Sequence, residues 1–187
     1  MNVKEVDNVG VTDKLRLLKS RLDRLSIKEY PKVSGEAKMI VRDAETMKIL
    51  REQKIRNVIT IGGLEVFAQA LASPFTYELG SRYYWYLVLG IGSGTPSNTD
   101  TSLFTPVEGS AKHGSLSATG SSATYYVRYL PEDANGYTYT EAGIYDKVPD
   151  SSSPYTSGVL INHLMLSPTL EKTSAILVDF YITITFS

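Results

Sequence analysis

The sequence predicts a mainly β fold: an antiparallel β-sandwich of about eight strands, with one packed helix and an N-terminal helical arm. Three observations carry this. Residues 174–186 alternate without a break, with Ile176, Val178, Phe180, Ile182, Ile184 and Phe186 on one face and Leu177, Asp179, Tyr181, Thr183 and Thr185 on the other. That period of two is what a pleated strand imposes. Thirteen Tyr residues and a second half rich in Ser, Thr and Gly suit twisted strands joined by short turns. Turn signals recur at strand-length intervals, and Asn135-Gly136 is the strongest, because both residues tolerate positive φ.

The arm comes first, over residues 1–35, ahead of a sandwich domain over 36–187. Thr12 or Asp13 can cap a helix to about Ser26, accepting from the free amides of its first turn. Leu15, Leu18, Leu22 and Leu25 recur at spacings of three, four and three, an a/d seam flanked by Lys14, Arg16, Lys19, Arg21 and Arg24. Two heptads are too short to stay helical alone in water. The seam is therefore the expected partner-binding surface, docking on a sister subunit, on another protein, or back on its own domain. Pro31 and Gly35 end the arm.

The domain opens with an alternating segment around Met39 to Ile49, turned at Asp43-Ala44-Glu45-Thr46, and a strand over Ile55 to Ile61. Gly62-Gly63 then starts the one helix, with Leu64, Phe67, Ala68 and Leu71 at i, i+3, i+4 and i+7, stopped by Ser73-Pro74. Strands follow at Tyr83 to Ile91, Ser115 to Thr119, Thr124 to Leu130, Tyr137 to Tyr145, Val159 to Leu166 and Ser174 to Phe186. Turns at this spacing suggest two packed antiparallel sheets.

Composition narrows the function classes. There is no Cys, so disulfides, thiolate nucleophiles and Cys-based zinc sites are excluded together. Residues 1–40 carry nine Lys/Arg against six Asp/Glu, and residues 41–187 carry ten against fourteen. That asymmetry is too mild to imply nucleic acid. No apolar run approaches the roughly 20 residues that span a bilayer, and the first residues lack the apolar core of a secretory signal. No membrane partner is expected, and synthesis in a cytoplasm is.

Candidate chemistry is thin. Gly90-Ile91-Gly92-Ser93-Gly94 follows a strand, but Thr95-Pro96-Ser97-Asn98 comes next where a phosphate loop needs a helix N-terminus. The three glycines read instead as a sharp turn off a buried strand. His113 and His163 have no ligand-spaced partner and are expected as surface or hydrogen-bonded strand residues. Asp133, Asn135 and Glu141 fall short of a calcium loop, and a hairpin turn explains them with less. Tyr83, Tyr84, Trp85 and Tyr86 could form a sugar-stacking platform, though strand alternation sends two of the four inward. Glu141, ahead of Ala142-Gly143, is the strand-embedded acid that needs partners. No catalytic, cofactor-binding or metal-binding residue is expected, and no cofactor.

One resemblance adds to this reading. Leu87-Val88-Leu89-Gly90-Ile91-Gly92-Ser93-Gly94-Thr95-Pro96 with Asp100-Thr101-Ser102-Leu103 resembles a pattern of small β-sandwich virion proteins of tailed bacteriophages. Arg56 to Thr60 with Gly62-Gly63-Leu64 is similar to their strand-then-helix entry, and Thr140-Glu141-Ala142-Gly143-Ile144-Tyr145 to a later strand. The resemblance covers about residues 50–187 and leaves the arm outside. It implies a non-enzymatic structural protein of a virus particle, assembled in a host cytoplasm as a homo-oligomer and bound to capsid or tail proteins. A chain closing on a strand at Ser187 favours a capsid decoration or cement subunit. A tail, baseplate or fibre-adaptor protein is the alternative, and a carbohydrate-binding module the alternative from another class.

Deleting residues 1–35 tests the arm. Loss of the oligomer or of particle binding, with the remaining domain still folded by circular dichroism, is the expected outcome. A domain that loses its own stability would return the leucine seam to the core.

Overall fold

The structure is a computed structural model that describes residues 32–72, 85–146 and 158–187. The leucine seam Leu15, Leu18, Leu22 and Leu25 lies outside the described residues, as does the helix expected around it. Among the described residues are nine strands and one helix. They run β1 Val33–Asp43, β2 Ile49–Ile59, α1 Ile61–Ala72, β3 Tyr86–Gly90, β4 Lys112–His113, β5 Ser115–Thr119, β6 Ser122–Tyr129, β7 Tyr137–Tyr145, β8 Leu160–Lys172 and β9 Ile176–Phe186. β1 begins three residues before residue 36, the expected start of the domain, and Val33 is already paired with Phe186.

All strand pairs are antiparallel, in the order β4-β3-β7-β8-β2-β1-β9-β6-β5. The two ends of that order are consecutive in the chain. Residues 112–113 pair with β3 and residues 115–119 with β6, so one run of chain serves both ends and the sheet is nearly closed, like a barrel. Gly114 is the hinge between them. A Cβ there would strike the Tyr126 carbonyl oxygen and come within 2.5 Å of Val127 Cγ2, so the crossing needs a residue without a side chain. Tyrosines stitch the same gap from inside. Tyr125 donates to the Trp85 carbonyl, and the Tyr129 hydroxyl lies 2.8 Å from the Leu87 carbonyl.

The interior follows the sequence pattern closely. Met39, Val41, Ile55, Leu87, Leu89, Val127, Tyr139, Ile144, Ile161, Leu164, Val178, Phe180 and Ile182 lie in one buried apolar cluster. β9 runs between β1 and β6 and sends Val178, Phe180, Ile182 and Ile184 into it, with Ile176 and Phe186 packed at its margin. At the β2–β8 seam the backbone ladder spans three register pairs, Asn57↔Leu164 to Ile59↔Asn162. Beyond it, side chains replace the missing bonds. Gln53 donates to the Ser167 carbonyl at 2.5 Å and Arg51 to the Thr169 carbonyl at 3.0 Å.

The helix presents a different face from the expected one. Leu64 is 41 % exposed and Ala68 is exposed, while Gly63 and Val66 are buried and Phe67 is half-buried against the core. Gly63 decides the rotation. A Cβ there would overlap the Ile161 backbone, so this position lies directly against β8 and turns residues 63, 66 and 67 inward. Thr60 caps α1, its hydroxyl accepting from the Gly63 amide at 3.0 Å. The Asn135-Gly136 turn forms, but positive φ falls on Ala134 and Gly136 rather than on Asn135.

Phe180 is fully buried in the central cluster. Phe180→Ala should lower the unfolding free energy by about 3–5 kcal/mol, read by urea denaturation. A shift below 1 kcal/mol would show that this strand is not central.

Candidate functional site

Residues 91–111, between β3 and β4, form a strap across the outer face of the sheet at β3, β7 and β8. An apolar cluster beneath it, Val88, Leu103, Tyr145 and Leu160 with Ala111 at its edge, is separate from the interior. Main-chain bonds pin both ends, from Ile91 N to Thr105 O and from Val107 N to Leu89 O, each at 2.9 Å. The Ser110 hydroxyl accepts from the Leu89 amide at 3.0 Å. Tyr145 reaches up to accept from the Leu103 amide at 2.9 Å.

Glu141 is the centre of this arrangement. It is fully buried on β7, beside a register shift between Tyr139 and Glu141. Its Oε1 accepts from the amides of Gly92 at 3.0 Å and Thr105 at 2.7 Å, and its Oε2 from the amide of Phe104 at 3.0 Å. A buried carboxylate is expensive unless its lone pairs are met, and here three converging amides meet them. The glycines are explained by the same contact. A Cβ on Gly90 or on Gly92 would sit 2.5 Å from Glu141 Oε1, and neither residue has positive φ. Close approach of the carboxylate and of the strap at Phe104 and Thr105, rather than the expected sharp turn, is why these positions are glycine.

The fourth partner of Glu141 is His163 on β8. Its Nε2 lies 2.8 Å from Glu141 Oε2 and its Nδ1 2.7 Å from Asp100 Oδ2 of the strap. The imidazole is fully buried, and Asp100 is 16 % exposed. Burial pushes the His163 pKa down, but the bonds to Glu141 and Asp100 more than offset this and hold it above the usual 6.5. Burial likewise pushes Glu141 up, and the bonds from His163, Thr105, Phe104 and Gly92 bring it below the usual 4.5. Two carboxylates bracketing the ring favour its imidazolium form. With both nitrogens engaged and the ring out of solvent, His163 has no face to offer a substrate as a general base.

A cleft of about 600 Å³ opens beside Asp100, between the strap, the start of α1 and the start of β8. Ile61, Gly62 and Glu65 line one side, Asn98 to Ser102 another, and Gly158 to Leu160 a third. Ile61 is exposed at the rim, and its amide donates to the Asn98 carbonyl at 2.7 Å.

The other candidates do not converge here. His113 is exposed on β4 with its ring 5.5 Å from that of Tyr86. Asp133 and Asn135 serve the turn between β6 and β7. Asp133 takes Lys112 Nζ at 2.5 Å and the Leu130 amide at 2.6 Å, while Asn135 Oδ1 takes Lys172 Nζ at 2.9 Å. Trp85 packs against Phe67 and Tyr125 at 6.0 Å from each, which turns it toward the core rather than onto a sugar platform. Tyr83 and Tyr84 lie outside the described residues.

Sequence reasoning missed a second buried acid. Asp179 on β9 is fully buried on the outer face of the sheet. It accepts from Arg128 at 2.7 and 3.1 Å, from Tyr126 at 2.8 Å and from Arg42 at 3.1 Å. Burial pushes its pKa up, and the bonds from Arg128, Tyr126 and Arg42 bring it below the usual 3.8. Burial and the bond to Asp179 in turn push Tyr126 up to about 12.

Glu141→Ala should lower the unfolding free energy by about 3–5 kcal/mol at neutral pH, since it strands three amides and one nitrogen of the buried His163 ring. Glu141 has a depressed folded pKa, so its contribution is complete above 4.5 and is lost as pH falls through the folded value. A denaturation series from neutral to acid pH should show that loss, and Glu141→Gln should flatten it.

Comparison of the chain with protein-family models, curated proteins and solved structures finds no match.

Proposed function

We propose that this chain is a non-enzymatic structural protein of a tailed-virus particle, bound as a homo-oligomer to the capsid shell as a decoration or cement component. The observation that carries the reading is the convergence of the resemblance-bearing segments. Gly90 to Gly94, the stretch through Leu103, and Thr140 to Tyr145 meet around Glu141, and Thr140 adds a bond from its hydroxyl to the Gly92 carbonyl. A set of motifs held together by buried bonds is a scaffold, and the polar groups at its centre are spent on holding it. A two-layered sandwich goes with this reading, β2-β1-β9-β6-β5 as one layer and β4-β3-β7-β8 as the other, joined at the short β2–β8 seam.

A tail, baseplate or fibre-adaptor role rests on the same motifs and is the second reading. A carbohydrate-binding role is weaker, because Trp85 of the expected platform is packed against Phe67 and Tyr125. Cryo-electron microscopy of intact particles, with light scattering on the purified chain, tests the proposal. The expected result is an oligomer in solution and repeated density on the shell. Density confined to the tail would move the protein to the second reading, and a monomer absent from particles would overturn both.

A further inference from the structure

His163 touches carboxylates with both of its ring nitrogens, at 2.7 Å and 2.8 Å. A neutral imidazole carries one donor and one acceptor. One of these two contacts therefore exists as a hydrogen bond only while the ring is doubly protonated. With one proton lost, a nitrogen lone pair faces a carboxylate oxygen at hydrogen-bond distance. The two carboxylates are not equal in that event. Glu141 is fully buried and cannot reach water, whereas Asp100 is 16 % exposed at the cleft. The remaining proton stays on Nε2 with Glu141, and the Asp100 contact is the one that gives way.

Asp100 also organises its part of the strap. Its Oδ2 accepts from the Ser97 amide at 2.9 Å, and the Asp100 amide donates to the Ser97 carbonyl at 3.2 Å. Residues 97–100 thus form a closed turn, fastened to β8 through His163 and to α1 through the Asn98 carbonyl. That turn is one wall of the cleft beside α1.

We propose that residues 97–102 are a proton-controlled latch: doubly protonated His163 holds this wall of the cleft against the body, and loss of one ring proton releases it. The titratable groups facing His163 are Glu141 from β7 and Asp100 from the strap. Its register neighbours on the flanking strands, Val58 and Gly143, carry none, and Phe104 supplies an uncharged ring at 4.7 Å. From α1, Glu65 lines the same cleft, and Tyr145 of β7 is bonded to Leu103. The two carboxylates bonded to the ring, with Glu65 a third in the cleft and no cation among these groups, favour the doubly protonated ring. The direction of control follows from the raised folded pKa. The latch is predominantly closed at pH 6.5 and opens as pH rises through the folded value. Below the carboxylate range the staple fails separately, as Glu141 is protonated.

Nuclear magnetic resonance of the ¹⁵N-labelled full chain tests this, with His113→Asn used to assign the two imidazoles. His163 should show both nitrogens protonated at pH 6.5 and a titration midpoint above that value. The Ser97 and Asp100 amides should shift with the same midpoint, while those of β1 and β9 stay unchanged. Asp100→Asn keeps an acceptor of the same size without the charge and should move the midpoint down. A single neutral tautomer at pH 6.5, a midpoint at or below 6.5, or strap amides that do not follow the ring would each overturn the proposal. The wild-type spectra decide alone should the Asp100 variant fail to fold.

Discussion

The carboxylate of Glu141 constrains more of this molecule than any other group. Burying it on β7 requires donors from outside the strand, and the ladder leaves none in the plane of the sheet. The strap supplies them as three main-chain amides, which obliges the chain to lie close over β3 and β7. Close approach in turn excludes side chains at positions 90 and 92. Once held there, the strap packs its Leu103 over Val88, Tyr145 and Leu160, a patch that a bare outer face would expose to water. The polar staple and the small apolar layer therefore depend on each other.

Asp179 meets the same difficulty with a different solution. Its donors are the long side chains Arg42 and Arg128 and the Tyr126 hydroxyl, so no segment of backbone is needed to cover it. Around it the outer face of β1, β9 and β6 continues as a row of stacked side chains. Lys38 lies over the Tyr181 ring at 5.3 Å, and Tyr181 packs on Tyr126 at 4.9 Å. Hydroxyl pairs Thr124–Thr183 and Ser122–Thr185 extend it. One half of the sheet is covered by chain, and the other is covered by its own side chains. Amides fixed by the backbone hold one geometry, whereas arginines and tyrosines can yield to a partner.

What the sequence made legible was set by periodicity. The alternation from Ile176 to Phe186 placed every inward residue of β9 correctly, and the Asn135-Gly136 turn placed the connection from β6 to β7. The need of Glu141 for partners was also visible, because a carboxylate inside an apolar strand demands them. Its partners were not visible, since Gly92 and Thr105 lie 49 and 36 positions away and no local pattern links them. Asp179 was hidden for the same reason, with Arg42 at a separation of 137. The helix face was misread because hydrophobicity was weighed without backbone contact. Leu64 looks like a core residue, yet the glycine before it takes the place against β8. Gly114 escaped notice because the strand after it, Ser115–Thr119, is exposed throughout and offers no alternation for a change of partner to interrupt.

The pairing of β1 with β9 sets the order in which this fold can be completed during synthesis. Eleven register pairs join the first described strand to the last, from Val33↔Phe186 to Asp43↔Ile176. On a ribosome adding about 5–20 residues per second, β1 waits on the order of ten seconds for its second neighbour. Through that interval the β1–β2 hairpin shows an unpaired edge to every nascent chain nearby, a recognised hazard for strand capture. Glu36 and Lys38 stand along that strand, ion-paired with Lys54 and Glu52 of β2. Charges that add little to the finished sheet keep its first hairpin apart from others until the last strand arrives.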